Sequence, residues 1–496
     1  MSTIAETSYG PVQGRVKEDV ILFAGIPYAK PPVGELRFKA AQVHDGWSEV
    51  RQTTRFSPAA PQIPTGGMTD SAPVNWNEDC LTLNITTPMI DDKKRPVFFW
   101  IHGGGYRTGQ GAIPWYNGAN FAKNGDIVVV SINYRMGALG FTDLSRFGAE
   151  YATSGVNGTL DQIKALQWVS ENIVNFGGDP EQITIAGESA GGFSVGTILG
   201  SPMAQGLFKR AVPQSGAAHH TLPADAADKV TDFFMDVMQV STMEELLAAS
   251  VDDILAAQAK VDQDVARGVG SSRLGVAVSP FYPCTGNEVL PESPLEAIKK
   301  GMGSEVDVLI GSNKDEGTLF LTEAVDEAKL LSMADRLGGG QKLVDAYRAA
   351  YPDASPTEIA TYLSTDHVFR IPALRLAEAR LSYGSSADSS SVSRTWMYLF
   401  AWESRHAHLK STHSLEIPFV FDNLDKGGVD VFLGPGELPQ AVASEMHQVW
   451  IDFIQSGDPG WPPYDLKNRI NMRFDEKSGQ VADPDAGKRE AWEGIR

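Results

Sequence analysis

One pentapeptide, GESAG at Gly187–Gly191, constrains the fold of this 496-residue chain more than any other stretch. The alternating residues at 183–186 predict a short strand before it, and the apolar residues at 192–199 predict a helix after it. A serine between a strand and a helix is typical of a nucleophile elbow, in which glycines let a tight turn approach neighbouring chain. Because three fixed residues alone make a weak motif, the rest of the sequence has to support this interpretation.

The apolar pattern elsewhere favours an α/β fold. Strands are predicted at 79–85, 96–101, 127–132, 183–187, 211–214, 306–310 and 396–402. Continuous apolar runs such as 96–101 and 127–132 suit strands that are buried on both faces of a parallel sheet. Apolar residues at helical spacing over 158–175 continue an alternation of strands and helices. We therefore predict a large, mostly parallel central sheet flanked by helices, with an N-terminal hairpin over 9–24 and a closing helix over 438–456.

Two helical blocks, at 222–300 and 323–382, interrupt this alternation. Neither block contains a clear strand, and both are flanked by strands that we assign to one sheet. We therefore expect a single domain over 1–496 in which the two blocks are insertions. The Pro-, Gly-, Ser- and Thr-rich residues 56–77 and the Ser-rich residues 383–394 are expected to be surface loops.

Composition and charge exclude several functional classes. The formal net charge of −20 makes nucleic acid and anionic membrane surfaces poor partners. No stretch approaches the ~20 apolar residues that a membrane span needs, and no secretory signal is visible. Two cysteines, Cys80 and Cys284, are too few for a disulfide framework, so we expect both to be reduced and buried. A cytoplasmic location and a bacterial type of protein are expected.

The run HGGG at His102–Gly105 directly follows the strand predicted at 96–101. Acyl transfer by a serine needs a base, an acid that orients the base, and donors for the oxyanion. Glycines after a strand let backbone amides approach a substrate, as in the oxyanion motif of α/β-hydrolases. A phosphate-binding loop is the alternative, but no Gly-Lys-Ser/Thr sequence follows and the G-x-G-x-x-G spacing is absent. The run therefore favours an oxyanion loop that acts together with Ser189.

The acid and the base should follow the serine in that order along the chain. Asp315 and Glu316 both follow the strand predicted at 306–310, and spacing alone cannot choose between them. Three histidines follow the last predicted strand, where the base is expected: His406, His408 and His413. The other six histidines precede the acid, precede that strand or lie in the predicted closing helix.

These motifs together make the chain resemble the type-B carboxylesterase/lipase family, most closely its bacterial p-nitrobenzyl esterase type. The resemblance runs nearly end to end, over the blocks Gly25–Ala29, Pro31–Gly34, Glu78–Asn84, His102–Gly105, Asn133–Arg135, Phe176–Pro180, Gly187–Gly192, Asn313–Gly317 and His413–Phe421. It implies an α/β-hydrolase fold and a serine carboxylesterase that hydrolyses small-molecule esters through an acyl-enzyme. It implies no metal or organic cofactor.

The resemblance also assigns roles to individual residues. It implies a catalytic triad of Ser189 as nucleophile, Glu316 as acid and His413 as base. It implies an oxyanion hole formed by the amides of Gly104, Gly105 and Ala190.

Further positions carry structural implications. Ser215 matches a serine that supports the acid–histidine pair, although a small residue at a strand end explains it equally well. The pairs Arg37–Glu78 and Arg135–Asp161 match structural ion pairs. Secreted members pair the cysteine matching Cys80 with one in the preceding loop, but residues 57–61 here contain no cysteine. The loop at the mouth of the site is therefore expected to lack that disulfide.

Two alternatives stay open at this point. The same machinery could act mainly on carbamates, amides or toxin and xenobiotic esters, because leaving-group preference depends on the residues that line the site. A non-catalytic adhesion homologue is less favoured, because the chain keeps all three triad residues. A monomer is expected, with weak self-association as the alternative. Aromatic residues that either line the site or belong to the core are Tyr106, Trp115, Phe193, Phe281, Tyr282 and Phe320.

Overall fold

A large mixed sheet organises the computed structural model, which describes residues 3–63, 74–266, 279–321, 323–386 and 393–496. The described strands are β1 (Ile4–Ala5), β2 (Val12–Gln13), β3 (Arg15–Lys17), β4 (Val20–Pro27), β5 (Arg51–Gln52), β6 (Thr82–Thr87), β7 (Arg95–Ile101), β8 (Val128–Ile132), β9 (Gly178–Glu188), β10 (Arg210–Gln214), β11 (Asp307–Asn313), β12 (Thr395–Phe400), β13 (Ile470–Phe474) and β14 (Gly479–Ala482).

The sheet is parallel at its centre and antiparallel at its edges. Its strand order is β14-β13-β12-β11-β10-β9-β7-β8-β6-β4-β3. The strands from β13 to β8 in this order run parallel, whereas β14, β6, β4 and β3 are each antiparallel to the strands beside them. The predicted α/β fold with a large central sheet is thus confirmed. Strands β1, β2 and β5 form a separate small sheet.

Helices pack on the sheet and fill the two predicted blocks. They are α1 (Ala119–Gly125), α2 (Gly137–Phe141), α3 (Asn157–Asn172), α4 (Ala190–Leu199), α5 (Ala224–Met238), α6 (Met243–Ala248), α7 (Val251–Ala266), α8 (Pro294–Lys299), α9 (Glu327–Arg336), α10 (Gly340–Ala350), α11 (Pro356–Thr365), α12 (Ile371–Ser386), α13 (Ile417–Val420), α14 (Val429–Leu433), α15 (Gln440–Ser456) and α16 (Ala486–Ala491). A π-helical turn, Asp366–Arg370, joins α11 to α12. Among the described residues, no helix combines the length and apolarity required to cross a membrane.

Strand β7 shows why the central strands read as continuous apolar runs. Val97, Phe99 and Ile101 pack into the core on one face of the sheet. Phe98 and Trp100, which alternate with them, pack into the core on the other face. Since both faces of the strand are covered, neither set of side chains has to be polar.

Parts of three predicted segments lie outside the described residues. These are residues 64–73 of the predicted loop, residues 267–278 of the first helical block and residues 387–392 of the Ser-rich segment. Helices α5 to α8 lie within the first block. Helices α9 to α12 occupy the second block, and α12 extends beyond its predicted end. Because strands that flank both blocks share one sheet, we propose that the chain forms a single domain with two insertions.

The C-terminal end of the sheet corrects the sequence prediction. Strands β13 and β14 follow the helix α15, so the helix predicted at 438–456 does not close the fold and the strand at 396–402 is not the last. Strand β13 reads Ile470-Asn471-Met472-Arg473-Phe474 and is only partly buried. No continuous apolar run marks a strand of this kind, which lies near the edge of the sheet.

The N-terminal hairpin includes fewer residues before its turn than predicted. Strands β3 and β4 pair in antiparallel fashion, and their turn residues Glu18 and Asp19 both have positive φ, at 53° and 63°. Two successive positive φ values match the twist that a two-residue hairpin needs. Strand β2, which lies in the same predicted hairpin, belongs instead to the small sheet.

The ion pair Arg135–Asp161 is buried beneath the loop after β8. The Asp161 carboxylate accepts hydrogen bonds from the Arg135 guanidinium at 2.7 and 2.8 Å and from its backbone amide at 3.1 Å. The two side chains are only 3% and 0% exposed. Arg37 makes a similar bidentate contact with Glu78 at 2.6 and 2.8 Å. The pairs named from the sequence therefore exist in the structure.

We expect Asp161→Asn to lower the free energy of unfolding by about 3–5 kcal/mol, because it leaves the buried Arg135 charge uncompensated. Urea unfolding followed by circular dichroism measures this change. The matched control is Glu327→Gln, which removes a carboxylate from the exposed pair with Arg348 and should leave the unfolding midpoint unchanged. Equal effects of the two substitutions would contradict a structural role of the buried pair.

Candidate active site

Ser189 lies at the turn between β9 and α4. It has φ 57° and ψ −124°, a backbone conformation that residues other than glycine rarely adopt. Its amide donates to the Gln214 carbonyl oxygen at 3.1 Å, and its carbonyl oxygen accepts from the Phe193 amide at 2.7 Å. The neighbouring strand and the following helix therefore hold this strained conformation in place.

The glycines beside the serine are required by the close approach of two strands. A Cβ atom at Gly191 would lie 2.0 Å from the Ile101 carbonyl oxygen at the end of β7. A Cβ atom at Gly192 would lie 2.3 Å from the Gln214 carbonyl oxygen at the end of β10. Neither contact leaves room for a side chain, so the sequence motif follows from packing on both sides of the turn.

The HGGG loop lies against the serine. A Cβ atom at Gly103 would lie 3.1 Å from the Ser189 Cβ. Gly104 and Gly105 have φ values of 111° and 62°, and a Cβ atom at Gly104 would lie 2.1 Å from the Thr108 carbonyl oxygen. Only glycine satisfies both the backbone conformation and the available space at position 104.

Backbone amides at this junction are unpaired. Among the described residues, no hydrogen-bond acceptor is found for the amides of Gly104, Gly105 or Ala190. Ala190 is the first residue of α4, where an amide has no acceptor within the helix. Unpaired amides beside a serine can bind the negative oxygen that forms when a hydroxyl attacks a carbonyl.

His102 fixes the start of the same loop. Its ring stacks on Tyr134 with 4.6 Å between ring centroids, and its Nδ1 lies 2.8 Å from the Gly103 carbonyl oxygen. The Tyr134 hydroxyl donates to the His102 carbonyl oxygen at 2.9 Å. Burial lowers the pKa of His102 to about 4, so this ring stays neutral and acts as a structural support.

Glu316 is the acidic residue that meets a histidine of the predicted loop. Its Oε2 lies 2.5 Å from Nδ1 of His413. Its Oε1 accepts from the Ser215 hydroxyl at 2.6 Å and from the Asn313 amide at 2.7 Å. The carboxylate of the adjacent Asp315 points away from His413 and accepts a hydrogen bond from the backbone amide of Ser411 at 3.4 Å. The structure thus brings together Glu316, His413 and Ser215, which the resemblance had grouped.

The other two histidines of the loop lie apart from this contact. His406 and His408 face each other, with 5.9 Å between ring centroids, on the exposed part of the loop. Neither contacts an acidic residue in the part of the chain that the structure describes.

The second nitrogen of His413 faces a carboxylate that sequence reasoning missed. Nε2 of His413 lies 3.1 Å from Oε1 of Glu188, the residue before Ser189. The same Glu188 oxygen accepts from the Ser414 hydroxyl at 2.8 Å. The imidazole of His413 therefore lies between two carboxylates. The Ser189 hydroxyl makes no hydrogen bond to a described residue. The only sequence signal was an acidic side chain at the variable position of the elbow motif.

Glu416 adds a third buried carboxyl group. It accepts from the Asn313 amide group at 2.7 Å and from the Gln214 amide group at 3.2 Å. Burial, followed by the charges of Glu188 and Glu316, raises the pKa of Glu416 to about 8. An acidic residue between the apolar Leu415 and Ile417 is the signal that could have found it.

The imidazole of His413 and the buried carboxyl groups beside it shift one another's pKa values. Burial alone would lower the pKa of His413, but the carboxylates of Glu188 and Glu316 raise it to about 9. Burial raises the pKa of Glu188 to about 7, although the positive charge on His413 opposes this. The resting imidazole is therefore held in its charged form by its two carboxylate neighbours.

Aromatic rings form one wall beside His413. Phe320 and Phe369 lie with ring centroids 5.1 and 4.7 Å from the imidazole, and Phe193 stacks on Phe369 at 6.2 Å. Phe320 is 56% exposed and therefore borders the open side of the site. Sequence reasoning missed Phe369, because the π-helical turn that presents it is not visible in the apolar pattern.

Two of the other aromatic candidates belong to the core. Trp115 donates its Nε1–H to the Gly427 carbonyl oxygen at 3.1 Å and packs on Phe432. Phe281 packs on Phe234, with 6.0 Å between ring centroids.

No group of three His, Cys, Asp or Glu side chains among the described residues is arranged to hold a metal ion.

Comparison with known proteins places this geometry in context. Residues 1–491 match the family model described as "Carboxylesterase family". The chain is 35% identical over 502 residues to para-nitrobenzyl esterase of Bacillus subtilis (strain 168), with 98% of both chains covered. It is 33% identical over 510 residues to phenmedipham hydrolase of Pseudarthrobacter oxydans, covering 97% of this chain and 96% of that one. The crystal structure of Geobacillus stearothermophilus carboxylesterase EST55 at pH 6.2 matches with a TM-score of 0.86 and 38% identity, covering 99% of this chain and 100% of that chain.

We expect Glu188→Gln to lower the pKa of His413 by about one unit or more, because it removes a negative charge 3.1 Å from Nε2. Titration of the ¹³C-labelled histidine Cε1 resonances by NMR measures the shift. The control is Glu181→Gln, an exposed position on the same strand β9, which should leave the His413 titration unchanged. An unchanged pKa in Glu188→Gln would show that this carboxylate does not hold the charge on the imidazole.

Proposed function

The chain belongs to the carboxylesterase family, and from that premise we propose that it hydrolyses carboxylic esters through a Ser189–His413–Glu316 triad and an acyl-enzyme. The observation that carries this proposal is the 2.5 Å contact between Nδ1 of His413 and Glu316, made beside a serine held at a strained elbow. Ester hydrolysis itself follows from family membership; the assignment of the three residues is our inference.

The reaction begins with proton transfer. Nε2 of His413, in its neutral form, takes the proton of the Ser189 hydroxyl while the serine oxygen attacks the ester carbonyl. The oxyanion accepts hydrogen bonds from the amides of Gly104, Gly105 and Ala190, which have no acceptor among the residues that the structure describes. His413 then gives its proton to the departing alcohol, which leaves an acyl group on Ser189.

Water completes the cycle by the same steps. His413 takes a proton from water as the water oxygen attacks the acyl-enzyme, and it returns that proton to Ser189 when the acid leaves. Glu316 accepts the Nδ1–H hydrogen bond throughout and stabilises the imidazolium. Ser215 acts through Glu316, because its hydroxyl holds the second carboxylate oxygen and thereby fixes the orientation of the first.

Glu188 competes with the serine for Nε2. In the resting arrangement this nitrogen lies 3.1 Å from the Glu188 carboxylate, whose charge helps to raise the pKa of His413 to about 9. At neutral pH the imidazole must therefore lose a proton before it can accept one from Ser189. We therefore propose that activity rises with pH and levels off above about pH 9, since deprotonation of His413 produces the active base.

We propose small aryl-containing esters as the substrate class. The relative named para-nitrobenzyl esterase supports activity on aryl-containing esters, and the Phe320–Phe369 wall offers apolar rings for such groups. A panel of aryl esters, alkyl esters, carbamates and amides, compared by kcat/KM, distinguishes ester specificity from the carbamate and amide alternatives. We also propose a cytoplasmic location, which the free thiols of Cys80 and Cys284 support.

We expect Ser189→Ala to reduce kcat/KM for p-nitrophenyl acetate by about four orders of magnitude or more, because it removes the nucleophile. The assay is p-nitrophenol release, with circular dichroism to confirm that the fold is kept. Ser201→Ala is the control, since the hydroxyl of this buried serine donates to the Val289 carbonyl oxygen and takes no part in the proposed reaction. Near wild-type turnover in Ser189→Ala would rule out the proposed mechanism.

Substitutions at Glu316 and Asp315 test which of the two adjacent residues is the acid of the triad. We expect Glu316→Gln to lower kcat by about three orders of magnitude, because it removes the charge that stabilises the imidazolium. Asp315→Asn should keep most of the activity, as should His406→Ala and His408→Ala, whereas His413→Ala should not. A loss in Asp315→Asn that equals the loss in Glu316→Gln would overturn the assignment of the acid.

A further inference from the structure

The π-helical turn between α11 and α12 carries an aromatic ring of the candidate site on one side and buried charges on the other. Its Phe369 packs against His413 with 4.7 Å between ring centroids and against Phe320 with 6.2 Å. The first and last residues of the turn are charged, and each is only 2% exposed. A π-helical turn is rare and occurs frequently at functional sites, so the contacts that hold this one bear on the site.

Arg370, the last residue of the turn, is bound to three other segments of the chain. Its Nε donates to the Asp485 carboxylate at 2.8 Å, and its Nη2 donates to the Asn471 side-chain oxygen at 2.8 Å. Its Nη1 donates to the Tyr398 carbonyl oxygen at 3.2 Å. These acceptors lie just before α16, in β13 and in β12. Because all three guanidinium nitrogens have acceptors, the planar group is fixed in one orientation.

Asp366, the first residue of the turn, is held by the same C-terminal segment. Nζ of Lys488 lies 3.4 Å from the Asp366 carboxylate and 2.9 Å from the Asp485 carboxylate. The Tyr347 hydroxyl donates to Asp366 and accepts from Nε1–H of Trp492 at 2.9 Å. Together with the guanidinium described above, the ammonium and the two carboxylates form a buried network whose charges balance.

A buried charge network of this kind contributes to position more than to stability. Removing charges from water costs about as much free energy as their mutual attraction returns, so apolar packing stabilises a core at least as well. Its directional contacts, however, fix the register of the segments that it joins. Burial opposes ionisation of Asp485, but the charges of Lys488 and Arg370 hold the pKa of this carboxyl below its usual range. The carboxylate is therefore charged at neutral pH.

We propose that Asp485 is a positioning residue for the catalytic imidazole: through Arg370 it fixes the π-helical turn, and the turn holds the Phe369 ring against His413. The inference rests on the proposed function in one respect, the role of His413 as the base. A base must stay within hydrogen-bond reach of the proton that it takes, and a displacement of about 1 Å can cost about 100-fold in rate. The C-terminal segment around α16 thereby supports the site.

The Cε1–Hε1 resonance of His413 tests this positioning without turnover, because the ring current of Phe369 shifts a proton beside it. We expect Asp485→Asn and Phe369→Leu to move this resonance in the same direction in ¹H–¹³C spectra of the full-length protein. At pH 6 the imidazole stays charged, since its pKa is raised to about 9, so the movement does not arise from titration. His413→Gln identifies the resonance.

Asp91→Asn is the matched control. The Asp91 carboxylate binds the buried Arg95 at 2.5 and 2.9 Å, at the start of β7 and thus at the opposite edge of the sheet from Ser189. Its substitution should leave the His413 resonance in place. An unmoved resonance in either Asp485→Asn or Phe369→Leu would overturn the proposal, and so would an equal movement in Asp91→Asn.

A double-variant cycle with p-nitrophenyl acetate separates positioning from general loss of stability. We expect Asp485→Asn and Phe369→Leu each to lower kcat by about tenfold, with circular dichroism to confirm folding. The double variant should be no slower than Phe369→Leu, because Asp485 acts through that ring. Losses that multiply in the double variant would show that Asp485 acts by another route and would contradict the proposal.

Tyr347→Phe decides the question if Asp485→Asn fails to fold. It removes only the hydroxyl that donates to Asp366, so it should move the His413 resonance in the direction of Phe369→Leu by a smaller amount. An unmoved resonance in Tyr347→Phe would then overturn the proposal. The spectra need no turnover, so their failure leaves the triad intact, whereas full activity of Ser189→Ala would overturn the triad and leave the spectra unchanged.

Discussion

The backbone of Ser189 is the constraint on which the rest of this molecule depends. A conformation that residues other than glycine rarely adopt persists only because β10 and the start of α4 both bind the peptide groups of this residue. The ends of β7 and β10 approach the turn so closely that Gly191 and Gly192 have no room for a side chain. The parallel centre of the sheet thus sets the position of the serine, and the loops after its strands bring the remaining groups to it.

The buried carboxyl groups of the site are compensated by hydrogen-bond donors and by the imidazole of His413. Three buried carboxyl groups, on Glu188, Glu316 and Glu416, surround one imidazole, and such an arrangement is costly without partners. The protein supplies them from Ser215, Asn313 and other polar side chains that lie at the ends of the central strands. The result is an imidazole with a raised pKa whose second nitrogen lies 3.1 Å from the Glu188 carboxylate. In the proposed mechanism, Glu188 therefore sets the pH at which His413 becomes available as the base.

The sequence predicted those features that leave a local signature. Apolar runs located the buried strands, and glycine motifs located the elbow and the loop at Gly104. Periodicity missed β13, because a partly buried strand near the sheet edge carries residues such as Asn471 and Arg473. Spacing could not choose between Asp315 and Glu316, since adjacent side chains point in different directions and only the folded chain shows which one meets His413. The position of Phe369 depends on contacts between segments far apart in sequence, which no local pattern encodes.

The central claim is that the acyl group passes through Ser189, and peptide mapping by mass spectrometry tests it most directly. The protein is mixed with p-nitrophenyl acetate, quenched in acid within the first turnover and digested. The account predicts an acetyl adduct on the peptide that contains Ser189, and no adduct on that peptide in His413→Ala treated for the same time. An adduct on another residue, or first-turnover release of acetate with none on Ser189, would contradict it.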